Sequence, residues 1–498
     1  METSVFSLRR RLVPGGLALL LAMLAGQAEA ADGVSQASLS RGEYLARAAD
    51  CAACHTPPDH EEDAFGGGYV IASPLGDIVS SNITPSEQFG IGGWSEAEFA
   101  RAVREGVTPA GTHLYPAMPY DAYSGITDED MRALYGYFMD GVAPIDRAPR
   151  RHTDLAFPFN QRWLMAAWNL LFTDDERFAV REGESHVLAR GRYLVDNLAH
   201  CGTCHTPRNV FMAPEEDEYL AGAPLGGWYA PNITADETNG IGGWRDQELV
   251  DYLKNGHVTG KGVAAGPMAE AVENSFRFLD DDDLHAMADY LKSVPAVAGS
   301  THTPPQEGGG DASGEPYAFQ DDSADKTKRA VRQARRALPE VMADRSDFAG
   351  MTDGALLYES SCASCHQLNG AGTEDHYYPS LYHSSATAAS SPNNLVMTVL
   401  KGIDRRGADG EIAMPAFGRD YSDEQVAAVV NFVADRFGNP ALDVTAQRVA
   451  TLRAGGDKPL LATLGGWLVA IPVVAVVVLL AMVRWRRRRR RTAALARR

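Results

Sequence analysis

The stretch that decides the fold is Cys201-Gly-Thr-Cys-His-Thr-Pro, which occupies residues 201–207. A C-x-x-C pair can bind zinc, carry out thiol–disulfide exchange or, when His follows at once, attach a haem covalently. The same C-x-x-C-H pattern occurs at Cys51-Ala-Ala-Cys54-His55 and at Cys362-Ala-Ser-Cys365-His366. Together these three motifs contain all six cysteines of the chain, so no disulfide framework is expected.

Covalent haem accounts for this pattern better than the alternatives. Zinc takes four ligands, and each motif offers three with no second Cys pair nearby. Disulfide exchange does not require a His after the second Cys. In a haem motif the two thiols bind one porphyrin edge and the His binds the iron. The sequence therefore predicts three covalently bound haem c groups, attached through Cys51, Cys54, Cys201, Cys204, Cys362 and Cys365, with His55, His205 and His366 as iron ligands.

Three methionines are candidates for the opposite side of each iron. Met118 in LYPAMPY, Met268 in VAAGPMAEA and Met414 in IAMPAFG lie in segments with Pro or Gly and no helical periodicity. A Met that only fills a core is less expected there. Because a thioether is a soft axial ligand that raises the reduction potential, the sequence predicts these three residues as sixth iron ligands.

An internal repeat supports the methionine assignment. The stretch SNITPSEQFGIGGWSEAEFARAVREG from Ser81 matches PNITADETNGIGGWRDQELVDYLKNG from Pro231, an offset of 150 residues. This offset places Met118 on Met268, and each lies 63 residues after its motif histidine. The third methionine follows its histidine by 48 residues, which indicates a more compact unit.

Other residues in these regions have simpler interpretations. Met212, Met287 and Met397 lie on predicted helices or beside charged loops, which favours core or surface positions. His113 and His257 do not align within the repeat, so we interpret both as ordinary polar residues.

The repeated Asn-Ile-Thr at Asn82 and Asn232 matches a glycosylation acceptor. Its recurrence at one repeat position, followed each time by Gly-Gly-Trp, favours a structural turn near the haem edge.

The two ends of the chain indicate export and a membrane. Residues 1–30 have a basic start at Arg9–Arg11, an apolar run and Ala28-Glu29-Ala30, which predicts a secretory signal peptide. A membrane anchor is the alternative, but the apolar run is short and begins with Pro and Gly.

The run from Leu460 to Val483 is uncharged over 24 residues. At 1.5 Å per residue it would extend about 36 Å, so the sequence predicts a transmembrane helix over 460–483. The tail over 484–498 contains nine Arg and is expected in the cytoplasm. The haem units would then lie in the periplasm, at the bacterial inner membrane.

The predicted fold class is mainly α, with three tandem cytochrome c-type domains and the C-terminal transmembrane helix. Unit one covers 35–145, unit two 185–298 and unit three 350–440, with a Gly-, Pro- and Asp-rich linker over 299–349. Helix starts are predicted at Thr127-x-x-Asp130 and Ser422-x-x-Gln425. The basic amphipathic stretch KTKRAVRQARRALPEV, residues 326–341 within the linker, is either a solvated helix or a docking surface for a partner.

The apolar connector Phe157–Phe172 is too short to span a membrane. We expect it to pack between units one and two. The alternative is that it forms a surface for a dehydrogenase subunit, the bilayer or a quinone.

The chain resembles the three-haem cytochrome c subunits of membrane-bound bacterial dehydrogenases. Two N-I-T…G-I-G-G-W units, each after C-x-x-C-H-T-P, and a third unit ending MPAFG…SDEQVAAVVNFV carry this resemblance over residues 35–440. It implies an electron-transfer subunit with no catalytic residues of its own. A periplasmic partner dehydrogenase would oxidise an alcohol, aldehyde or sugar acid, and electrons would pass to ubiquinone or a terminal oxidase.

Two other functions stay open from the residues alone. A stand-alone membrane cytochrome could carry electrons between quinol and an oxidase. A haem peroxidase or reductase would need an iron with a displaceable sixth ligand, which the three methionines disfavour. The exported body is strongly acidic once the arginine tail is removed, so nucleic acid is excluded as a partner.

Overall fold

The computed structural model describes residues 40–57, 61–298, 323–337, 351–374, 377–382 and 384–465. The predicted signal peptide, most of the linker, residues 466–483 of the predicted transmembrane helix and the arginine tail lie outside these residues. Within them the prediction of a mainly α fold is confirmed, with short antiparallel strand pairs added.

Unit one begins with a helix over 40–48 and places its C-x-x-C-H on the next helix. Its other helical segments are Glu61–Asp63, Glu96–Glu105, Tyr120–Tyr123, Asp128–Gly136 and the π-helix Tyr137–Gly141. A three-stranded antiparallel sheet is formed by Val70–Ser73, Gly76–Val79 and Asp154–Leu155, with Val70 opposite Val79 and Asp77 opposite Asp154.

Unit two repeats this order. Its helical segments are His186–Arg192, the π-helix Tyr193–Leu198, Gly202–His205, Glu216–Glu218, Asp246–Asn255, Pro267–Asn274, Phe276–Phe278 and Asp281–Ser293. Its strand pairs are Ala223–Leu225 with Trp228–Ala230 and His257–Val258 with Gly262–Val263.

Unit three is preceded by the basic helix Ser323–Ala337, whose Val331 and Ala334 pack on Ala355 and Leu356. Its helical segments are Gly354–Leu357, the π-helix Tyr358–Cys362, Ala363–His366, Ser385–Ala388, Asn393–Lys401 and Asp423–Phe437, followed by Ala446–Arg453 and 460–465. One hairpin pairs Ile403–Gly407 with Gly410–Met414.

The first and last helices of each unit cross at a glycine. A Cβ atom at this glycine would overlap a carbonyl oxygen of the last helix: Gly42 faces Ala133, Gly191 faces Ala286 and Gly354 faces Ala428. A side chain at any of these positions would force the two helices apart.

The predicted caps begin the last helices of units one and three. Thr127 accepts a hydrogen bond from Asp130 N at 3.2 Å. The Ser422 hydroxyl accepts one from Gln425 N at 3.3 Å, and Gln425 Oε1 accepts one from Ser422 N at 2.9 Å. Each bond satisfies a backbone N–H that has no partner within its helix.

Two aspartates, Asp130 buried and Asp283 partly buried, join units one and two reciprocally. Asp130 of unit one accepts hydrogen bonds from Arg41 at 2.6 Å and from the hydroxyl of Tyr193 in unit two at 2.7 Å. Asp283 of unit two accepts them from Arg190 at 2.6 Å and from the hydroxyl of Tyr44 in unit one at 2.6 Å. Each aspartate therefore binds the arginine of its own unit and the tyrosine of the other.

One hydrophobic core extends through both of these units. Leu45 and Phe138 from unit one belong to the same buried cluster as Leu194, Leu198 and Met287 from unit two. Unit three has a separate core formed by its own helices, against which Trp228 of unit two packs.

The apolar connector packs between units one and two along one face, as predicted. Its helix Leu164–Phe172 buries Trp168 against Tyr120 of unit one and Ala213 of unit two. Its other face leaves Leu170 and Leu171 exposed.

The predicted fold class needs correction in two respects. Three tandem domains would each have a core, whereas the reciprocal tyrosine–aspartate bonds merge units one and two around a single core. The described part of the chain also has no helix that is long and apolar enough to cross a membrane.

Replacing Asp283 with Ala should destabilise the body formed by units one and two. Tyr44 and Arg190 would lose a partly buried acceptor, at a cost of about 3 kcal/mol in the free energy of unfolding. Urea denaturation of the full chain, followed by circular dichroism, measures this cost. Asp282→Ala, at the exposed neighbouring position, is the matched control, and equal midpoints for the two variants would show that the reciprocal bonds contribute little.

Candidate haem-binding sites

The three motif histidines are held by the same kind of hydrogen bond. Nδ1 lies 2.7 Å from a carbonyl oxygen in units one and two, and 3.0 Å from one in unit three. The pairs are His55 with Ser81, His205 with Pro231 and His366 with Pro379. Because a carbonyl only accepts, Nδ1 carries the proton and Nε2 keeps the lone pair that can bind a metal.

Burial keeps these histidines in the form that binds metal. It lowers the pKa of His55, His205 and His366, and the bond to the carbonyl opposes this only in part. The imidazoles are therefore neutral at neutral pH, with the orientation fixed by the backbone.

The cysteine thiols do not resemble a thiolate metal site. Burial raises the pKa of Cys51, Cys54, Cys201 and Cys362 to about 12. Zinc and disulfide exchange both use the thiolate, which burial disfavours here. Within the described ranges no group of three or more His, Cys, Asp or Glu side chains could hold a metal ion. The protonated thiols fit a group that they bind covalently.

The Asn-Ile-Thr segments form the turns that present two of these carbonyls. Asn82 is 3% exposed, and its Oδ1 accepts from Thr84 N at 2.9 Å while its Nδ2 donates to Ile145 O at 2.7 Å. Asn232 makes the equivalent bonds with Thr234 and Val297. Both amides are buried and occupied, which confirms the structural interpretation of the repeated motif.

The first two motifs face one continuous cavity of about 2660 Å³. Its lining includes the cysteines and histidine of both motifs, together with Met118 and Met268. Cys54 and Cys204 lie close enough for one thiol to affect the pKa of the other. The third motif is not part of this lining, although helix Asn393–Lys401 of unit three borders it. The cavity thus brings together two of the three predicted sites.

The structure places the candidate methionines in different backbone contexts. Met118 is in a turn before Tyr120–Tyr123, as expected of a loop residue. Met268 lies in the first turn of helix Pro267–Asn274, because Pro267 starts that helix. Met414 ends a strand and is paired with Ile403. Met287 and Met397, the methionines that the sequence disfavoured as iron ligands, are core residues, 0% and 3% exposed.

Sequence reasoning missed an acidic cluster beside the first motif. Tyr69 donates to Glu270 at 2.9 Å, and Glu270 acts electrostatically on Asp50 and Cys54. Burial raises the pKa of both Asp50 and Glu270. The cluster joins residues up to 220 positions apart, so sequence alone carries no signal for it beyond the place of Asp50 next to Cys51.

Tyrosine hydroxyls hold the backbone around the third motif. Tyr358 donates to Gln367 O at 2.6 Å, directly after His366, and Tyr421 donates to Ser361 at 2.5 Å, directly before Cys362. The carbonyl partner of His366 is 13 residues away, compared with 26 in the other two motifs. Unit three therefore reaches the same histidine geometry with a shorter loop.

Comparisons with known proteins agree with this geometry. The family described as "Cytochrome C oxidase, cbb3-type, subunit III" matches residues 349–433. The chain is 46% identical over 440 residues to the "Fructose dehydrogenase cytochrome subunit" of Gluconobacter japonicus, covering 86% of this chain and 85% of that one. It is 40% identical to the "Gluconate 2-dehydrogenase cytochrome c subunit" of Pantoea cypripedii, covering 88% and 94%. For the "Alcohol dehydrogenase (quinone), cytochrome c subunit" of Gluconacetobacter polyoxogenes the identity is 35%, with coverage of 88% and 89%.

The chain belongs to the family of dehydrogenase cytochrome c subunits. This membership confirms the resemblance seen in the motifs, and it identifies an electron-transfer subunit with covalently bound haem c rather than a catalytic subunit. The cytochrome domain family matches only unit three, so the prediction of three cytochrome c-type domains is corrected here too. Units one and two differ from unit three in that they share one hydrophobic core.

Asn232→Ala should destabilise the turn that orients His205. It would remove the acceptor of the buried Thr234 N and the closer of the two donors to Val297 O, at a cost of roughly 3 kcal/mol. The midpoint of thermal unfolding of the holoprotein measures this loss. Thr238→Ala, at an exposed position near the same turn, should leave the midpoint unchanged. A stable Asn232→Ala variant would contradict the structural role.

Proposed function

We propose that the chain carries three covalently bound haem c groups and passes electrons from a periplasmic dehydrogenase subunit to ubiquinone or a terminal oxidase. The observation that carries this proposal is the threefold recurrence of a motif histidine with Nδ1 on a carbonyl oxygen. The substrate of the partner would be an alcohol, aldehyde, sugar or sugar acid, in line with the names of the relatives.

Each site divides the work among its residues in the same way. The two thiols of a motif would form thioethers with the porphyrin, and the histidine Nε2 would bind the iron. Bound haem supplies an iron that alternates between the ferrous and ferric states. The carbonyl bond to Nδ1 fixes the orientation of the imidazole, and the lining of the cavity that the first two motifs face is mostly apolar. No side chain needs to transfer a proton.

Met118, Met268 and Met414 are the proposed sixth ligands. The first two face the cavity that holds the first two motifs, and the third lies on the hairpin Ile403–Gly407 with Gly410–Met414. As iron ligands these thioethers would favour the ferrous state and would occupy the position that oxygen or peroxide needs. This supports an electron carrier over a peroxidase.

We further propose that the protein works at the periplasmic face of the bacterial inner membrane. The N-terminal leader sequence supports export. Exposed apolar side chains support contact with a membrane or a subunit within it: Trp163 is 68% exposed, Leu170 84% and Leu171 71%.

The test is to isolate the full chain from membrane and soluble fractions of the source cells. Three haems per chain, a co-purifying large subunit, and haem reduction by one of the candidate substrates would support the proposal. A chain that is isolated alone and is reduced only by quinol would be a stand-alone carrier instead. Recovery from the cytosolic fraction would contradict the proposed location.

Met268→Ala should open one iron while leaving the haem attached. Reduced Met268→Ala is expected to bind carbon monoxide at about one of its three haems, whereas the wild type binds little. Absorption spectroscopy of the reduced protein with and without carbon monoxide measures this. Met287→Ala removes a buried methionine of the same core and should bind no more than the wild type. An unchanged Met268→Ala spectrum would exclude this residue as a ligand.

A further inference from the structure

Arg405 is a charged side chain buried between units two and three. It is 1% exposed, and it is among the largest fully buried side chains of the described residues. Among the described residues the Asp409 carboxylate acts on it electrostatically without forming an ion pair, and its Nε has no hydrogen-bond partner. A buried guanidinium is costly unless its surroundings compensate the charge, so this position requires an explanation.

The end of a unit-two helix supplies the compensation. Nη1 of Arg405 donates to Gly256 O at 2.9 Å and to Ala264 O at 3.1 Å, and Nη2 lies 3.4 Å from His257 Nδ1. Gly256 ends helix Asp246–Asn255 in the left-handed conformation, with φ +78°. The carbonyl groups at a helix C-terminus carry partial negative charge, which stabilises a cation placed there.

Gly256 is required at this contact for two reasons. Its positive φ disfavours other residues, and a Cβ atom would overlap the Arg405 side chain. Beside it, Gly407 packs closely on Asn255 O, and Ala408 N donates to Lys254 O at 3.2 Å. The hairpin of unit three is thus fastened along the end of a helix in unit two.

The internal repeat shows that this helix end is an anchoring point in both copies. Gly106 of unit one matches Gly256, and its carbonyl accepts from Leu114 N at 2.7 Å, as Gly256 O accepts from Ala264 N at 2.7 Å. In unit one the preceding carbonyl of Glu105 accepts from Asn169 of the connector helix at 2.9 Å. The same helix end therefore binds the connector in one unit and unit three in the other.

We infer that Arg405 is a positioning residue that fastens the Met414 hairpin to unit two and thereby fixes the third haem site relative to the second. Arg405 pairs with Ile412, and Ile403 of the same strand pairs with Met414. Displacement of this strand from the helix end would move the strand that carries the candidate ligand. The inference rests on the proposed function for the role of Met414, whereas the anchoring contact itself does not.

The experiment compares the wild-type holoprotein with Arg405→Met, Arg405→Lys and the control Arg406→Met. Arg406 is the next residue on the strand, points to the exposed side and lies 3.6 Å from Glu411. Hydrogen exchange is measured on the amides of 254–264 and 403–408. The second readout is the weak red charge-transfer band of methionine-ligated ferric haem.

In Arg405→Met the interface amides should exchange roughly tenfold faster or more, because several hydrogen bonds to a charged donor are lost. The red band should lose up to about one third of its intensity, since one of three methionine ligands is released. Arg405→Lys keeps the cation but lacks the planar fork, so intermediate exchange is expected. Arg406→Met should match the wild type.

Equal exchange in Arg405→Met and Arg406→Met would overturn the inference while leaving the proposed function intact. Faster exchange with an unchanged red band would overturn the link to Met414 and keep the anchor. If Arg405→Met does not accumulate in cells, Arg405→Lys decides the question. Hydrogen exchange and red-band intensity equal to those of the wild type would then overturn the requirement for a guanidinium. A wild-type protein with fewer than three haems would contradict the proposed function, and the exchange measurement would still decide the anchoring role.

Discussion

The arrangement of the first two sites depends on two hydrogen bonds between units one and two. In each bond a tyrosine hydroxyl of one unit donates to an aspartate of the other. Tyr193 reaches across to Asp130 and Tyr44 reaches across to Asp283, so neither unit completes its own polar contacts alone. The helices that carry the two tyrosines lie directly before the first and second C-x-x-C-H motifs. With these two hydrogen bonds in place, the first and second motifs face one cavity, and the second cysteine of each, Cys54 and Cys204, lies near the other. Packing between the units therefore brings the first two motifs to the same cavity.

The histidine geometry shows how little side-chain chemistry an electron-transfer site needs. A backbone carbonyl fixes each imidazole, and burial keeps it neutral. Within the proposed function, the carbonyl bond would hold each histidine in one orientation in both oxidation states of the iron, so little rearrangement would accompany electron transfer. The same bond is reached over 26 residues in two units and over 13 in the third, which shows that the geometry, rather than the loop that delivers it, is the common element.

Local signals in the sequence were sufficient for the motifs, the helix caps and the repeat. They predicted the cap at Ser422 and the structural role of Asn232, because each of these depends on neighbours within a few residues or on an exact repeat. They failed where distant residues meet. The merged core, the Asp50–Glu270 cluster and the burial of Arg405 depend on how the units pack, and no periodicity within one unit contains that information. Spacing predicted three tandem domains because the motifs recur, but recurrence of a motif does not require a separate core.

Unit two occupies the central position in the contacts between units. It shares the core and the reciprocal aspartates with unit one, and it receives Arg405 and Asn394 from unit three through Gly256 and Tyr229. Within the proposed function, electrons that enter or leave at either outer unit pass through the middle one. A cation buried at the junction between units two and three favours negative charge nearby, and a reduced haem carries one more negative charge than an oxidised haem. Arg405 therefore places a positive charge at this junction, which would favour the reduced state of any haem bound close to it.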